Sequence, residues 1–108
     1  MCNKPTFKQI PVLKKQSNTY FLSGRLNFET VPFLWQQNQD VLKNVGQPLI
    51  IFDLGEVTQS DSSGVALLIA WTGNFRRQAQ PVHFIHLPNQ MLAIIRLAGL
   101  ETIVPIKI

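Results

Sequence analysis

The chain has 108 residues, of which 45% are apolar and 15% charged, enough for one hydrophobic core and too apolar for a disordered or low-complexity segment. The formal charge is +4, but Lys4, Lys8, Lys14, Lys15 and Arg25 all precede the first acid, Glu29. The rest of the chain carries five basic and six acidic residues, a near-neutral body that argues against a nucleic-acid surface.

In chain order, Phe7 to Leu13 reads as a first strand, and Pro11 marks it as an edge or an interrupted one. Lys14 to Asn18 reads as the next turn, with the lysines forming a solvated edge that discourages sheet-to-sheet pairing. Thr19-Tyr20-Phe21-Leu22-Ser23 is a β-rich run that closes at Gly24. Val31, Leu34, Trp35, Asn38, Leu42 and Val45 then fall at helical spacing, with Thr30 as a cap and Pro32 in the first turn. Gly46-Gln47-Pro48 ends that helix. Leu49 to Phe52 is a continuous apolar run, as in a central strand covered on both faces.

After Asp53-Leu54, the segment Gly55 to Ser60 reads as a polar loop. A second helix opens at Asp61-Ser62-Ser63-Gly64 and runs through Val65 to Ala79, with Trp71 and Phe75 as core anchors. Its first two turns are apolar all round, which calls for burial or for cover by a partner. Pro81 to Leu87 is the next strand. Asn89 starts a third helix with Met91, Leu92, Ile95 and Ala98 on one face, and Gly99 suits its end, with Leu100 folding back. Thr102 to Ile106 forms a short extended tail. The order β-β-α-β-α-β-α-β predicts one α/β domain over residues 1–108, with a mostly parallel sheet.

Catalytic chemistry finds little support. There is no Gly-Lys-Ser/Thr phosphate loop and no G-x-G-x-x-G. His83 and His86 are three apart on a strand and so face opposite sides, a poor metal pair or general base. Cys2 is the only cysteine, so no internal disulfide forms, no zinc-ligand cluster exists, and a reducing compartment is expected. The first 16 residues hold four lysines and no apolar run, unlike a secretory leader. The longest apolar stretch, Val65 to Trp71, is far short of the ~20 residues of a membrane-spanning helix. A cytoplasmic binding domain without catalytic, cofactor or metal residues is the expectation.

One constellation stands out: a strand end at Asp53-Leu54, a loop, then Asp61-Ser62-Ser63-Gly64 opening an apolar helix. Asp61 and Ser62 can accept hydrogen bonds from first-turn N–H groups, and Gly64 permits close backbone approach. A hydroxyl here also lies where a helix N-terminus would stabilise a phosphate. The bland alternative is that both residues are caps and nothing more.

At these residues the chain resembles the STAS domain family of sulfate transporters and anti-sigma-factor antagonists. The likeness runs from about Thr19 to Leu100. It rests on Leu22-Ser23-Gly24-Arg25-Leu26-Asn27, on Ile50 to Leu54, on Val57, on Asp61 to Leu68, and on Leu97-Ala98-Gly99-Leu100. Pro32 with Leu34-Trp35, the run Gly64 to Leu68, and the small size resemble the branch that serves an ABC transporter moving phospholipid between the two membranes of Gram-negative bacteria. Family members often have Gly-Glu-Leu-Asp where Gly24-Arg25-Leu26-Asn27 stands, so two acids near the presumed binding loop are absent. Ser62 stands where the transporter branch often has threonine and where phosphorylated antagonists usually have serine.

The resemblance implies a sheet of about five strands, mostly parallel, with helices packed mainly on one side. It implies a non-catalytic, cytoplasmic subunit held at the inner membrane through its transporter, with the ATPase subunit as direct partner and the permease reached through it. Neither nucleic acid nor membrane insertion belongs to this reading. Its partner surface would comprise Thr58, Gln59, Ser60, Asp61, Ser62, Ser63 and Gly64. One alternative is an anti-sigma-factor antagonist switched by phosphorylation of Ser62, and another is a module that holds an acyl chain in its core.

Overall fold

The computed structural model describes residues 11–107. Five strands, β1 (Val12–Gln16), β2 (Thr19–Leu26), β3 (Ile50–Ser60), β4 (Val82–Ile85) and β5 (Ile106–Lys107), form one sheet in the order β1-β2-β3-β4-β5. β1 is antiparallel to β2, and every other pair is parallel. The crossovers are α1 (Val31–Gln37) with a 3-10 turn at Gln39–Lys43, then α2 (Ser62–Arg77), then α3 (Asn89–Leu97). The expected α/β class and element order hold. Cys2, Lys4, Lys8 and most of the expected first strand lie outside the described residues.

The core lies on one face of the sheet. Tyr20 and Leu22, Ile50, Phe52 and Leu54, and Val82 and Phe84 are buried, while Phe21, Ile51, Asp53, His83 and Ile85 between them are half-buried or exposed. β3 is therefore covered on one face only, which corrects the expectation of two covered faces. Phe52 sits at the centre, with ring centroids 4.8 Å from Trp71, 5.1 Å from Tyr20, 5.2 Å from Phe84 and 6.1 Å from Phe75. Three of these pairs are stacked and the one with Phe75 is tilted, and aromatic pairing at these separations adds to the gain from area burial.

The boundaries differ from expectation for local reasons. Lys14, Lys15 and Gln16 belong to β1, and the turn is only Ser17-Asn18, with Ser17 at a positive φ of 59°. The two lysines are exposed on the edge strand. α1 stops at Gln37 because side-chain amides take over its last carbonyls: Asn38 Nδ2 donates to the Leu34 oxygen at 2.9 Å and Gln39 Nε2 to the Trp35 oxygen at 2.8 Å. Val45, past the 3-10 turn, is exposed rather than on a core stripe. Trp71 and Phe75 are fully buried as expected, whereas Ala79 lies beyond α2 in an exposed turn.

β4 is shorter than expected, since His86 takes a φ of +57° and leaves the ladder. α3 ends as its sequence indicates. Gly99 has φ +68°, its N–H donates to the Arg96 oxygen, and the Leu100 N–H donates to the Ile95 oxygen at 2.9 Å. Ala98 falls just past the helix and is exposed, and the expected extended tail is instead a turn at 101–103 that leads into β5.

The largest departure concerns Gly55 to Ser60, which is strand and not loop. Phe21 pairs with Asp53 but Ser23 with Glu56, and Gly24 pairs with Val57 but Arg25 with Gln59. At each step β3 advances one residue more than β2, the signature of a bulge. Two bulges move the inward positions from every second residue to Leu54, Val57 and Ser60. Simple alternation fails over this stretch, which is why it looks like a polar loop.

Candidate functional site

Parallel pairing of β2 with β3 brings their carboxyl ends side by side, and α2 leaves directly from that edge. Ligand and partner sites of open α/β sheets gather at this end of the strands. Asp61 continues the ladder by donating its N–H to the Leu26 oxygen at 3.0 Å, then caps α2 by accepting from the Ser63 N–H at 2.7 Å. Ser62 makes no cap bond among the described residues. It occupies the first helical position with its side chain exposed.

The seven candidate residues divide into two groups. Thr58, Gln59 and Ser62 are exposed, and Asp61 and Ser63 are half-buried. Thr58 and Gln59 are exposed in succession because the second bulge lies between Val57 and Gln59. Ser60 and Gly64 are buried and do not reach the surface. The Ser60 N–H donates to Gln90 Oε1 at 3.1 Å, and its hydroxyl donates to the Asp61 oxygen at 3.1 Å. Gly64 lies so close to Ser60 and Leu26 that a Cβ would fall on the Ser60 hydroxyl and 3.1 Å from Leu26 Cβ. These two residues hold α2 against the strand ends and thereby set the position of Ser62.

A hollow of about 140 Å³ opens beside the cap, lined by Arg25, Leu26, Asn27, Gln59, Ser60 and Asp61. Arg25, near the end of β2, and Asn27, in the β2–α1 connection, line it too. Their signal in the sequence was the altered Gly24-Arg25-Leu26-Asn27 motif. Gln90, from the start of α3, carried no such signal. The connection is braced by side chains. Asn27 Oδ1 accepts from the N–H groups of Glu29 at 2.8 Å and Thr30 at 3.0 Å, while Thr30 Oγ1 accepts from the Asn27 N–H at 2.9 Å and donates to the Arg25 oxygen at 2.6 Å. Thr30 stands at the N-cap of α1 as its position suggested, but its hydroxyl makes no side-chain cap bond and instead ties the corner together.

The histidines lie elsewhere. His86 Nδ1 meets Asp53 Oδ1 at 3.0 Å, a pairing made possible because His86 has left the strand, and His83 takes no part in it. The cap region offers hydroxyls, amides, one arginine and one carboxylate already engaged by a backbone N–H.

With this geometry in place, the sequence is found to match the family described as Mlab, STAS domain over residues 13–105. The chain belongs to that family. Among solved structures, a chain of the Acinetobacter MlaFEDB complex in an ATP-bound conformation is 24% identical with a TM-score of 0.73, covering 89% of this chain and 99% of that one. Phosphorylated SpoIIAA, a Bacillus cell-fate determinant, is 17% identical with a TM-score of 0.64 and 91% coverage of both chains. An anti-sigma factor antagonist from Mycobacterium paratuberculosis is 20% identical with a TM-score of 0.67, covering 89% of this chain and 82% of that one. These likenesses establish a STAS fold, shared by a transporter complex and by sigma regulators. No curated protein matches the sequence. Among the described residues, no helix of this STAS domain is long and apolar enough to cross a membrane.

Proposed function

We propose that this STAS domain is a non-catalytic accessory subunit of an ABC transporter of the MlaFEDB kind, docking on the ATPase subunit and supporting its assembly or activity in phospholipid transport between membranes. The observation that carries the reading is the match to the Mlab STAS family over residues 13–105, which takes in α1, α2 and α3 and the strands β2 to β4. The near-complete overlap with a chain of the Acinetobacter complex supports it. The contact surface would be Thr58, Gln59, Asp61, Ser62 and Ser63, with buried Ser60 and Gly64 fixing its shape. Such a subunit acts by binding one conformation or assembly state of the ATPase better than another, because only differential affinity shifts an equilibrium. In the cell it would sit in the cytoplasm, held at the inner membrane through the ATPase and permease.

The test is copurification. Tagged protein from its native host should bring down an ABC ATPase and its permease, and the purified ATPase should bind directly. Recovery of a serine kinase and a sigma factor instead would favour the second reading, an anti-sigma-factor antagonist switched at Ser62. The exposed hydroxyl at the first position of α2 and the fold shared with phosphorylated SpoIIAA support that alternative.

A further inference from the structure

We propose that Phe28 is an aromatic anchor of the docking surface, seated in an apolar recess of the ATPase subunit beside a carboxylate that pairs with Arg25. This rests on the proposed function, in which the edge around Ser62 meets the ATPase. Phe28 is 74% exposed, at the tip of the β2–α1 corner, and the fold makes no use of its ring in the core. Phe33, in the first turn of α1, is also 42% exposed. An exposed phenylalanine forgoes burial free energy that a partner can recover.

Two further features set Phe28 apart from a stray surface residue. The corner that carries it is braced by the four Asn27 and Thr30 side-chain bonds, so little backbone freedom remains to be lost on binding. The corner is also continuous with the proposed contact surface, since Arg25 and Asn27 line the same hollow as Gln59 and Asp61. Phe28 follows Asn27 directly in the chain, at the edge of that hollow. Arg25 makes no ion pair among the described residues, which leaves its charge for an acid on the partner. An apolar centre beside a charged rim is the usual anatomy of a protein interface, with aromatic and arginine side chains enriched in it.

The experiment measures affinity of the full chain for the purified ATPase subunit by biolayer interferometry, with melting curves and light scattering for each variant. Phe28→Ala should weaken binding by about tenfold or more, as truncation of an interface anchor does, at an unchanged melting temperature. Arg25→Ala should also weaken binding and flatten its salt dependence. Leu97→Ala removes another exposed apolar residue, 90% accessible on α3, and should bind like the wild type. Wild-type affinity in Phe28→Ala overturns the anchor while the docking reading stands. Equal loss in Leu97→Ala overturns it too, by showing unspecific adhesion. Failure of the wild type to bind the ATPase overturns both. A self-associated wild type that becomes monomeric in Phe28→Ala would assign the ring to a second copy of this chain and overturn the ATPase contact.

Discussion

The Ser60 hydroxyl occupies the position that a Cβ on Gly64 would need. This single close approach locks the last residue of β3 to the first turn of α2, and it has an energetic consequence. In an open helix Gly→Ala gains up to ~1 kcal/mol. Here the added methyl meets Ser60 and Leu26, and overpacking of this kind typically costs ~1–3 kcal/mol. Gly64→Ala should therefore lower the melting temperature. Because Ser60 is the main obstacle, the double variant with Ser60→Ala should lose less than the two single losses added together, a coupling readable from thermal melts. Strict additivity would show that the approach is looser than the structure indicates.

A second expectation concerns the aromatic cluster. Trp71 and Phe75 are fully buried on α2 and both stack or tilt against Phe52. Truncating a buried aromatic costs ~3–5 kcal/mol, a large share of the stability of a domain this small. Phe75→Ala should unfold at markedly lower denaturant concentration than the parent. Phe52→Ala removes the ring that all four others share and should be at least as damaging. A Phe75→Ala protein with the parent's urea midpoint would refute this account of the core.

How legible these features were depends on which physical rule was in force. Trp71 and Phe75 could be read from helical spacing, and the α3 terminus from Gly99-Leu100, because both follow local periodic or capping rules. The cap at Asp61 was equally legible. β3 was not, since its two bulges break the period of two on which strand reading depends. The break between α1 and the 3-10 turn escaped because Asn38 and Gln39 bond to carbonyls of the preceding turn, a competition that apolar spacing does not register. Arg25 and Asn27 entered the site through parallel pairing between residues more than thirty apart, a tertiary fact. The motif marks where the candidate site begins, and the pairing of β2 with β3 places Arg25 and Asn27 beside it.

Electrostatics provides a third test. The body of the chain is near neutral, and of its basic leading segment Lys14 and Lys15 are exposed on the edge strand β1. Binding to a protein partner should change little with salt beyond the one contact assigned to Arg25. A nucleic-acid binder would show a steep linear fall of log affinity with log salt, set by the phosphates it neutralises. Titration of labelled single- and double-stranded DNA at low salt should give no tight complex. Sub-micromolar affinity for either would contradict the protein-docking reading.

Substitutions at Asp61 and Ser62 separate cap from contact. Since Asp61 supplies the cap bond to the Ser63 N–H, Asp61→Ala should cost ~0.5–2 kcal/mol. Ser62 has no such bond, and its exposed side chain at the first helical position makes Ser62→Ala nearly neutral, within ~0.5 kcal/mol. Ser62→Asp places a negative charge at the positive end of α2, which favours the fold by ~0.3–1 kcal/mol. Both Ser62 variants should thus melt close to or above the parent temperature, so any loss of binding cannot be blamed on unfolding. At a desolvated contact the new carboxylate is costly unless a basic group on the partner meets it. Ser62→Asp should accordingly be folded, bind the ATPase weakly and fail to support transport, with Ser62→Ala losing less. Pull-down with purified ATPase, run beside the melting curves, decides the matter. Full binding by both variants would remove Ser62 from the interface.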